Sequence, residues 1–290
     1  KSGRFASVTI HSVKLIDLAA LIDDNDYPYF EALEANSTVG MTLTGTAAPV
    51  LYYSTDKSTW TLWDYSDITL SNIGDRVCFY GTSSALAISD NDYSTFTGSG
   101  KLKLGGALTH LLSDVAFSMP GRAFQYAFRN CTALVSVGKE SFGRVVKYQS
   151  IYCFKGMFSG CTALTSIPKM DFLKSDFGSC NGMFSDCTSL THISNINIGK
   201  FSGEACLGGM FSGCTSLVSA NITLNTDAAI RAFISMFKNC SSLESPPIIA
   251  GTVMSADELF HDMFMGCTSL ERAPELAISV LRKNACKNIR

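Results

Sequence analysis

The stretch MFSGCTAL at 157–164 recurs along the chain as AFRNCTAL at 127–134, MFSDCTSL at 183–190, MFSGCTSL at 210–217, MFKNCSSL at 236–243 and MFMGCTSL at 263–270. In every copy a phenylalanine stands three residues before the cysteine (Phe128, Phe158, Phe184, Phe211, Phe237, Phe264). A leucine stands three residues after it (Leu134, Leu164, Leu190, Leu217, Leu243, Leu270). The cysteines themselves, Cys131, Cys161, Cys187, Cys214, Cys240 and Cys267, are 30, 26, 27, 26 and 27 residues apart. Self-similarity at such a period marks a repeat architecture in which each unit buries its apolar face against its neighbours.

Read locally, each unit predicts a short helix followed by a short strand. Cys153, Cys180 and Cys206 lie seven or eight residues before the repeat cysteine, about two helical turns, which puts both thiols on one inward face. Gly160 or Asn239 would then supply the left-handed residue that stops the helix. Leu134–Val137, Leu164–Ile167 and Leu190–Ile193 read as stacked parallel strands, with Pro168, Pro247 and Pro274 limiting further pairing. The expected fold over residues 106–290 is therefore an α/β leucine-rich-repeat solenoid of about six repeats, each of 26–27 residues. Thiols two turns apart are about 10 Å from one another, beyond disulfide reach, so they read as buried free thiols. No Cys-x-x-Cys pair and no repeated histidine suggests zinc, and no cofactor is expected.

Residues 1–105 differ in texture. Val39, Met41 and Leu43 alternate, and Leu51–Tyr53, Trp60–Trp63, Ile68–Leu70 and Val77–Tyr80 are short apolar runs separated by turn-forming clusters at 55–58 and 72–75. This pattern predicts a small all-β sandwich ahead of the repeats. Residues 1–36 mix strand character at Val8–Leu15 with helical character at Ile16–Ile22.

Composition narrows the function. Of 290 residues, 46% are hydrophobic and only 17% charged, against roughly 25% charged in ordinary soluble domains, so the buried fraction is large. With 23 basic and 25 acidic residues and a net charge of -2, nothing in the balance suits a nucleic-acid backbone. No apolar run approaches the roughly 18 residues of a membrane span. The chain starts at Lys1 without a methionine, as a processed product would, and no export signal is visible.

The repeats MFSGCTAL at 157–164 and MFMGCTSLERAPEL at 263–276, each preceded by the expected helix, resemble the BspA-type leucine-rich repeats of cell-surface proteins in anaerobic host-associated bacteria. APVLYYSTDKSTWTLW at 48–63, with ITLSNIGDRVCFYG and YSTFTGSGKL downstream, similarly resembles the β-rich domain that often precedes them. The resemblance implies an extracellular or cell-surface protein used for adhesion or protein binding, with no catalytic residues to carry over. Ala127 replaces the motif methionine in the first unit, Ala232 and Leu259 stand where the upstream cysteine would be, and Ala285-Cys286 opens a seventh unit.

The candidate ligand surface is the set of residues five past each repeat cysteine: Ser136, Ser166, His192, Ser219, Ser245 and Arg272. One falls on each expected strand, offering hydroxyls with one imidazole and one guanidinium. A protein ligand from a host or a neighbouring cell is the expected partner. The alternative is carbohydrate binding by aromatics of the N-terminal domain, Trp60 and Trp63 above all, beside Tyr52, Tyr53 and Tyr65. The acidic loops Asp23-Asp24-Asn25-Asp26 and Asp90-Asn91-Asp92 lack EF-hand spacing and read as turns. The sequons at Asn130 and Asn239 follow from the repeat. His11, His110, His192 and His261 occur in no hydrolase, zinc-protease or phosphate-loop context, so the expectation is not an enzyme and no metal.

Overall fold

The computed structural model describes residues 27–112, 119–142, 150–201, 203–224, 231–247, 249–251, 258–272 and 276–278. The strand and helix expected over 8–22, the acidic loop at 23–26, Pro274 and Ala285-Cys286 lie outside these residues.

The N-terminal strands are β1 (Tyr29–Ala32), β2 (Ser37–Thr44), β3 (Leu51–Ser54), β4 (Thr61–Leu62), β5 (Ile68–Leu70), β6 (Arg76–Gly81), β7 (Ala87–Ser89), β8 (Asp92–Ser99) and β9 (Leu102–Gly105), and the first repeat adds β10 (Leu134–Val137). They form a six-stranded sheet in the order β10-β9-β1-β6-β3-β4 and a four-stranded antiparallel sheet in the order β5-β2-β8-β7. The two sheets meet through Phe30, Phe79 and Phe96, whose ring centroids lie 5.4–6.2 Å apart. The larger sheet is mixed because β10 runs parallel to β9.

A second sheet is wholly parallel: β11 (Met170–Ser175), β12 (His192–Phe201), β13 (Ser219–Leu224), β14 (Ile249–Gly251) and β15 (Leu276–Ile278), side by side in chain order. Pro168 and Pro247 come just before β11 and β14. The prolines thus precede strands instead of ending them, a position where a missing amide donor costs no ladder bond.

The expected α/β leucine-rich solenoid with short helices is overturned. Among the described residues there is no α-helix, only the short 3-10 turns Leu108–Leu111 and Lys139–Phe142. The segments read as helices are chains of consecutive tight turns. In each, every fourth residue has a positive φ: Arg122, Tyr126 and Asn130 in the first unit, Tyr152, Gly156 and Gly160 in the second, Arg231, Ser235 and Asn239 in the fifth. A right-handed helix cannot contain such residues at that frequency. The side-chain pattern agrees, with two residues in and two out: Cys153 and Phe154 are buried, then Met157 and Phe158, then Cys161. That is a period of four, which the helical period of 3.6 approximates closely enough to mislead.

The turns leave a regular division of backbone donors. In the first unit the amides of Gln125, Ala127, Arg129 and Cys131 donate three residues back within their own unit. The amides of Arg122, Phe124, Tyr126, Phe128 and Asn130 donate instead to the carbonyls of Ile151, Cys153, Lys155, Met157 and Ser159 in the next unit, at 2.7–3.0 Å. The second to fifth units repeat both sets among the described residues, so the amides that face a described neighbour are paired.

Inside, the repeat phenylalanines stack almost parallel, with centroids 5.1–5.7 Å apart from Phe128 through Phe158, Phe184, Phe211 and Phe237 to Phe264. Phe96 of β8 continues the file at 5.3 Å from Phe128. The N-terminal sheets therefore close one end of the file. The Leu86, Phe96 and Leu102 amides donate to the Ala123, Ala127 and Ala133 carbonyls of the first unit. The expected boundary at 105/106 falls between β9 and the 3-10 turn at Leu108–Leu111.

At the last turn of successive units a side chain alternates with glycine: Asn130, Gly160, Asp186, Gly213, Asn239, Gly266. A methyl group built on Gly160 would overlap the Asn130 side-chain oxygen, and Gly160 has φ of +74°. Gly160→Ala is expected to destabilise by about 2 kcal/mol or more from left-handed strain plus overlap. Adding Asn130→Gly should restore the overlap part and leave the strain. Urea unfolding of the two single variants and the double variant checks this, and a double variant whose destabilisation equals the sum of the two single effects would show no coupling.

Candidate functional site

The predicted ladder is assembled in two pieces. Ser136 and Ser166 form a parallel bridge. Farther along, His192 pairs in register with Ser219, and Ser219 bridges to Ser245. His192 and Ser245 are exposed and Ser219 is half-buried. His192 Nδ1 and Ser219 Oγ share a hydrogen bond of 2.9 Å. Arg272 is exposed in a bend after the sixth repeat. No backbone pair joins Ser166 to His192 among the described residues.

The two tryptophans part company. Trp63 is 2% exposed, stacks on Phe96, packs at a tilt against Phe79 and donates its Nε1–H to the Ser66 carbonyl, so it is core and cannot meet a sugar. Trp60 is half-buried on the opposite side of the sheet, with ring centroids 4.8 Å from Tyr27 and 5.0 Å from Tyr80. Tyr52 stacks on Tyr80 at 4.7 Å and 5°, and Leu62, opposite Tyr52 in register, is 59% exposed. Strand alternation explains the split, since three residues of separation place Trp60 and Trp63 on opposite faces.

The described cysteines are free, and all but the half-buried Cys267 are buried. The repeat thiols have a further role. Cys161, Cys187, Cys214, Cys240 and Cys267 each donate to the carbonyl of the preceding unit's repeat phenylalanine at 3.0–3.2 Å. Burial pushes the Cys131 and Cys206 thiols up to about 12 and raises Cys161, Cys187 and Cys214 well above the ordinary thiol range. Cys267 rises to about 11 and lines an open notch with Phe264, Gly266, Thr268 and Leu270. Such thiols are protonated at neutral pH and poorly nucleophilic. In a Cys286→Ser background at pH 8, a disulfide exchange reagent should modify Cys267 slowly and the other described cysteines only on unfolding. Mass spectrometry locates the adduct, and fast native labelling of Cys161 or Cys187 would contradict the packing.

A polar cluster that the sequence reading missed lies where the loop between β7 and β8 meets the outward side of the first two turn units. Asp90 accepts from Lys155 Nζ at 2.8 Å, Arg122 Nη1 at 3.0 Å and Gln125 Nε2 at 2.7 Å. Arg122 lies 4.8 Å from the Tyr152 ring centroid, and Lys155 is at the same distance from that ring. Arg129 covers Tyr126 at 4.9 Å and donates to the Tyr93 hydroxyl at 3.4 Å. The signal for these residues was the outward pair of the four-residue period, Arg122 and Tyr126 and then Tyr152 and Lys155, which a helical period scrambles.

The hydrogen bond from Lys155 holds the Asp90 carboxyl below the ordinary carboxylate range, with Arg122 and Gln125 adding and partial burial opposing. A depressed carboxyl contributes stability above the unfolded pKa of about 3.9, and that contribution is lost as pH falls through the folded value. Asp90→Asn should cost about 1 kcal/mol or less at neutral pH, because the group is half-exposed. The difference from the parent should close as pH drops below the ordinary carboxylate range. Thermal unfolding of both proteins across acid pH tests it, and a difference that widens toward low pH would reverse the sign.

Among the described residues, no group of three or more His, Cys, Asp or Glu side chains could hold a metal ion. No described helix is long and apolar enough to cross a membrane. No known family matches the chain, and neither the curated proteins nor the solved structures contain a match.

Proposed function

We propose that the chain is a non-catalytic binding module that takes a protein ligand along His192, Ser219 and Ser245, extending toward Arg272. The observation that carries this reading is the parallel register that sets His192 of β12 beside Ser219 of β13 and Ser219 beside Ser245 of an isolated bridge, with His192 and Ser245 exposed. A surface fixed by backbone pairing loses little conformational entropy when a partner docks, so modest contacts suffice. The BspA-type resemblance of the repeat motif adds an extracellular or cell-surface setting and an adhesive role.

A second reading is carbohydrate binding on the outer face of the larger N-terminal sheet. It is favoured by the cluster of Tyr27, Trp60, Tyr80 and Tyr52, whose rings touch in sequence beside the exposed Leu62. Aromatic faces of this kind suit the apolar side of a sugar ring.

The test is a binding screen of the whole chain against extracellular matrix and plasma proteins and a glycan array, run beside the double variant His192→Ala, Arg272→Ala and the single variant Trp60→Ala. Saturable protein binding weakened about ten-fold or more by the double variant, as expected when hydrogen-bonding and charged contacts are truncated, supports the first reading. Glycan binding lost only with Trp60→Ala supports the second. Protein binding unchanged by the double variant would remove the ladder from the interface.

A further inference from the structure

The cluster around Asp90 ties the N-terminal sheets to the turn units, but its charges do not cancel. Arg122, Arg129 and Lys155 are three cations against the one carboxylate that Asp90 supplies within hydrogen-bond reach. This excess sits on a chain whose net charge is -2. Arg129 has the Tyr126 face and the Tyr93 hydroxyl as its partners and no carboxylate among the described residues. Its guanidinium therefore keeps donors of its planar fork for an anion from outside. Stacking on Tyr126 also orders the side chain in advance, which reduces the entropy lost on binding.

We propose that Arg122, Arg129 and Lys155, with Tyr93, Tyr126 and Tyr152 around them, form a binding site for the carboxylate or sulfate group of an acidic polysaccharide. The site is separate from the His192 ladder and does not depend on that ladder's role. Side-chain cations recognise the anion, and the half-exposed Asp90 carboxylate offers an acceptor to a neighbouring sugar hydroxyl, while the buried Gln125 holds Asp90 and Arg122 in place. An acidic peptide fits less well for a backbone reason. The amides of the first unit are already committed, half to local turns and half to the carbonyls of the second unit. A peptide main chain laid across this surface finds no free ladder to join, whereas a sugar asks for none.

The experiment measures binding of the whole chain to heparin, which carries sulfate and carboxylate, to hyaluronan, which carries carboxylate alone, to neutral dextran and to poly-glutamate, by calorimetry at two salt concentrations. The key variant is Arg129→Gln, which removes no ion pair but loses the Tyr126 stacking and the Tyr93 hydrogen bond, so it should keep the parent's circular dichroism spectrum and cooperative unfolding with a small fall in midpoint. The proposal expects saturable, salt-sensitive binding to heparin or hyaluronan, no binding to dextran, and a loss of about ten-fold in Arg129→Gln, the scale of one charge-assisted hydrogen bond. Heparin binding without hyaluronan binding assigns the sulfate, and binding to both assigns the carboxylate as sufficient. The proposal is overturned if neither acidic glycan binds, if Arg129→Gln binds as the parent does, or if poly-glutamate binds as tightly as the glycans. The His192→Ala, Arg272→Ala variant should keep full glycan binding, so failure of the ladder reading and failure of this one are told apart.

Discussion

The described repeats downstream of residue 119 depend on how the turn units share out their backbone amides. A residue in the left-handed region at every fourth position turns alternate amides along the unit and the others across it. The first set closes tight turns and the second set reaches the next unit's carbonyls. Neither set suffices alone: isolated turns of this kind are too weak to persist, and the cross-unit bonds require every unit to hold the same turn geometry. Stability is therefore collective, and the stack has a direction, with carbonyls facing the N-terminal sheets and amides facing the C-terminal side.

That polarity explains the position of the N-terminal sheets. A stack that began with bare carbonyls and an uncovered phenylalanine would leave polar groups unpaired beside apolar surface, and both are costly. The amides of Leu86, Phe96 and Leu102 supply the missing donors, and Phe96 supplies the ring that covers Phe128. The Asp90 loop adds an outer tie to Arg122, Gln125 and Lys155. The same tie gathers cations and tyrosines into one place, so a contact that serves the fold also creates the surface most suited to an anion.

The repeat cysteine illustrates the same economy. The carbonyls of Phe128, Phe158, Phe184, Phe211 and Phe237 each accept a local amide and, from the following unit, a thiol. Alanine would leave that acceptor with one partner, and serine would bring a larger desolvation cost into an apolar core. A thiol is small, apolar and a weak donor, which suits a position that must be both packed and bonded. The chemical inertness of these cysteines follows from the burial that makes them useful.

The sequence by itself determined the repeat, its length, the inward phenylalanine, cysteine and leucine, the buried free thiols and most N-terminal strands, because burial writes a periodic apolar pattern that needs no coordinates to read. Serines, His192 and Arg272 at the fifth position after each cysteine were likewise placed by counting, and their register brought His192, Ser219 and Ser245 together. The turn geometry was only half legible. Glycines four apart, such as Gly156 and Gly160, hinted at left-handed residues, yet Arg122, Tyr126 and Arg231 take the same conformation without any such mark. Over eight residues, periods of 3.6 and four select nearly the same inward positions, so the apolar pattern could not separate a helix from a run of turns. Tertiary structure decided between them, because the turns become favourable only when a neighbouring unit accepts their outward amides. It also decided which loop carboxylate meets which cations, since those contacts join residues 32 to 65 apart in the chain, and no local pattern records such pairings.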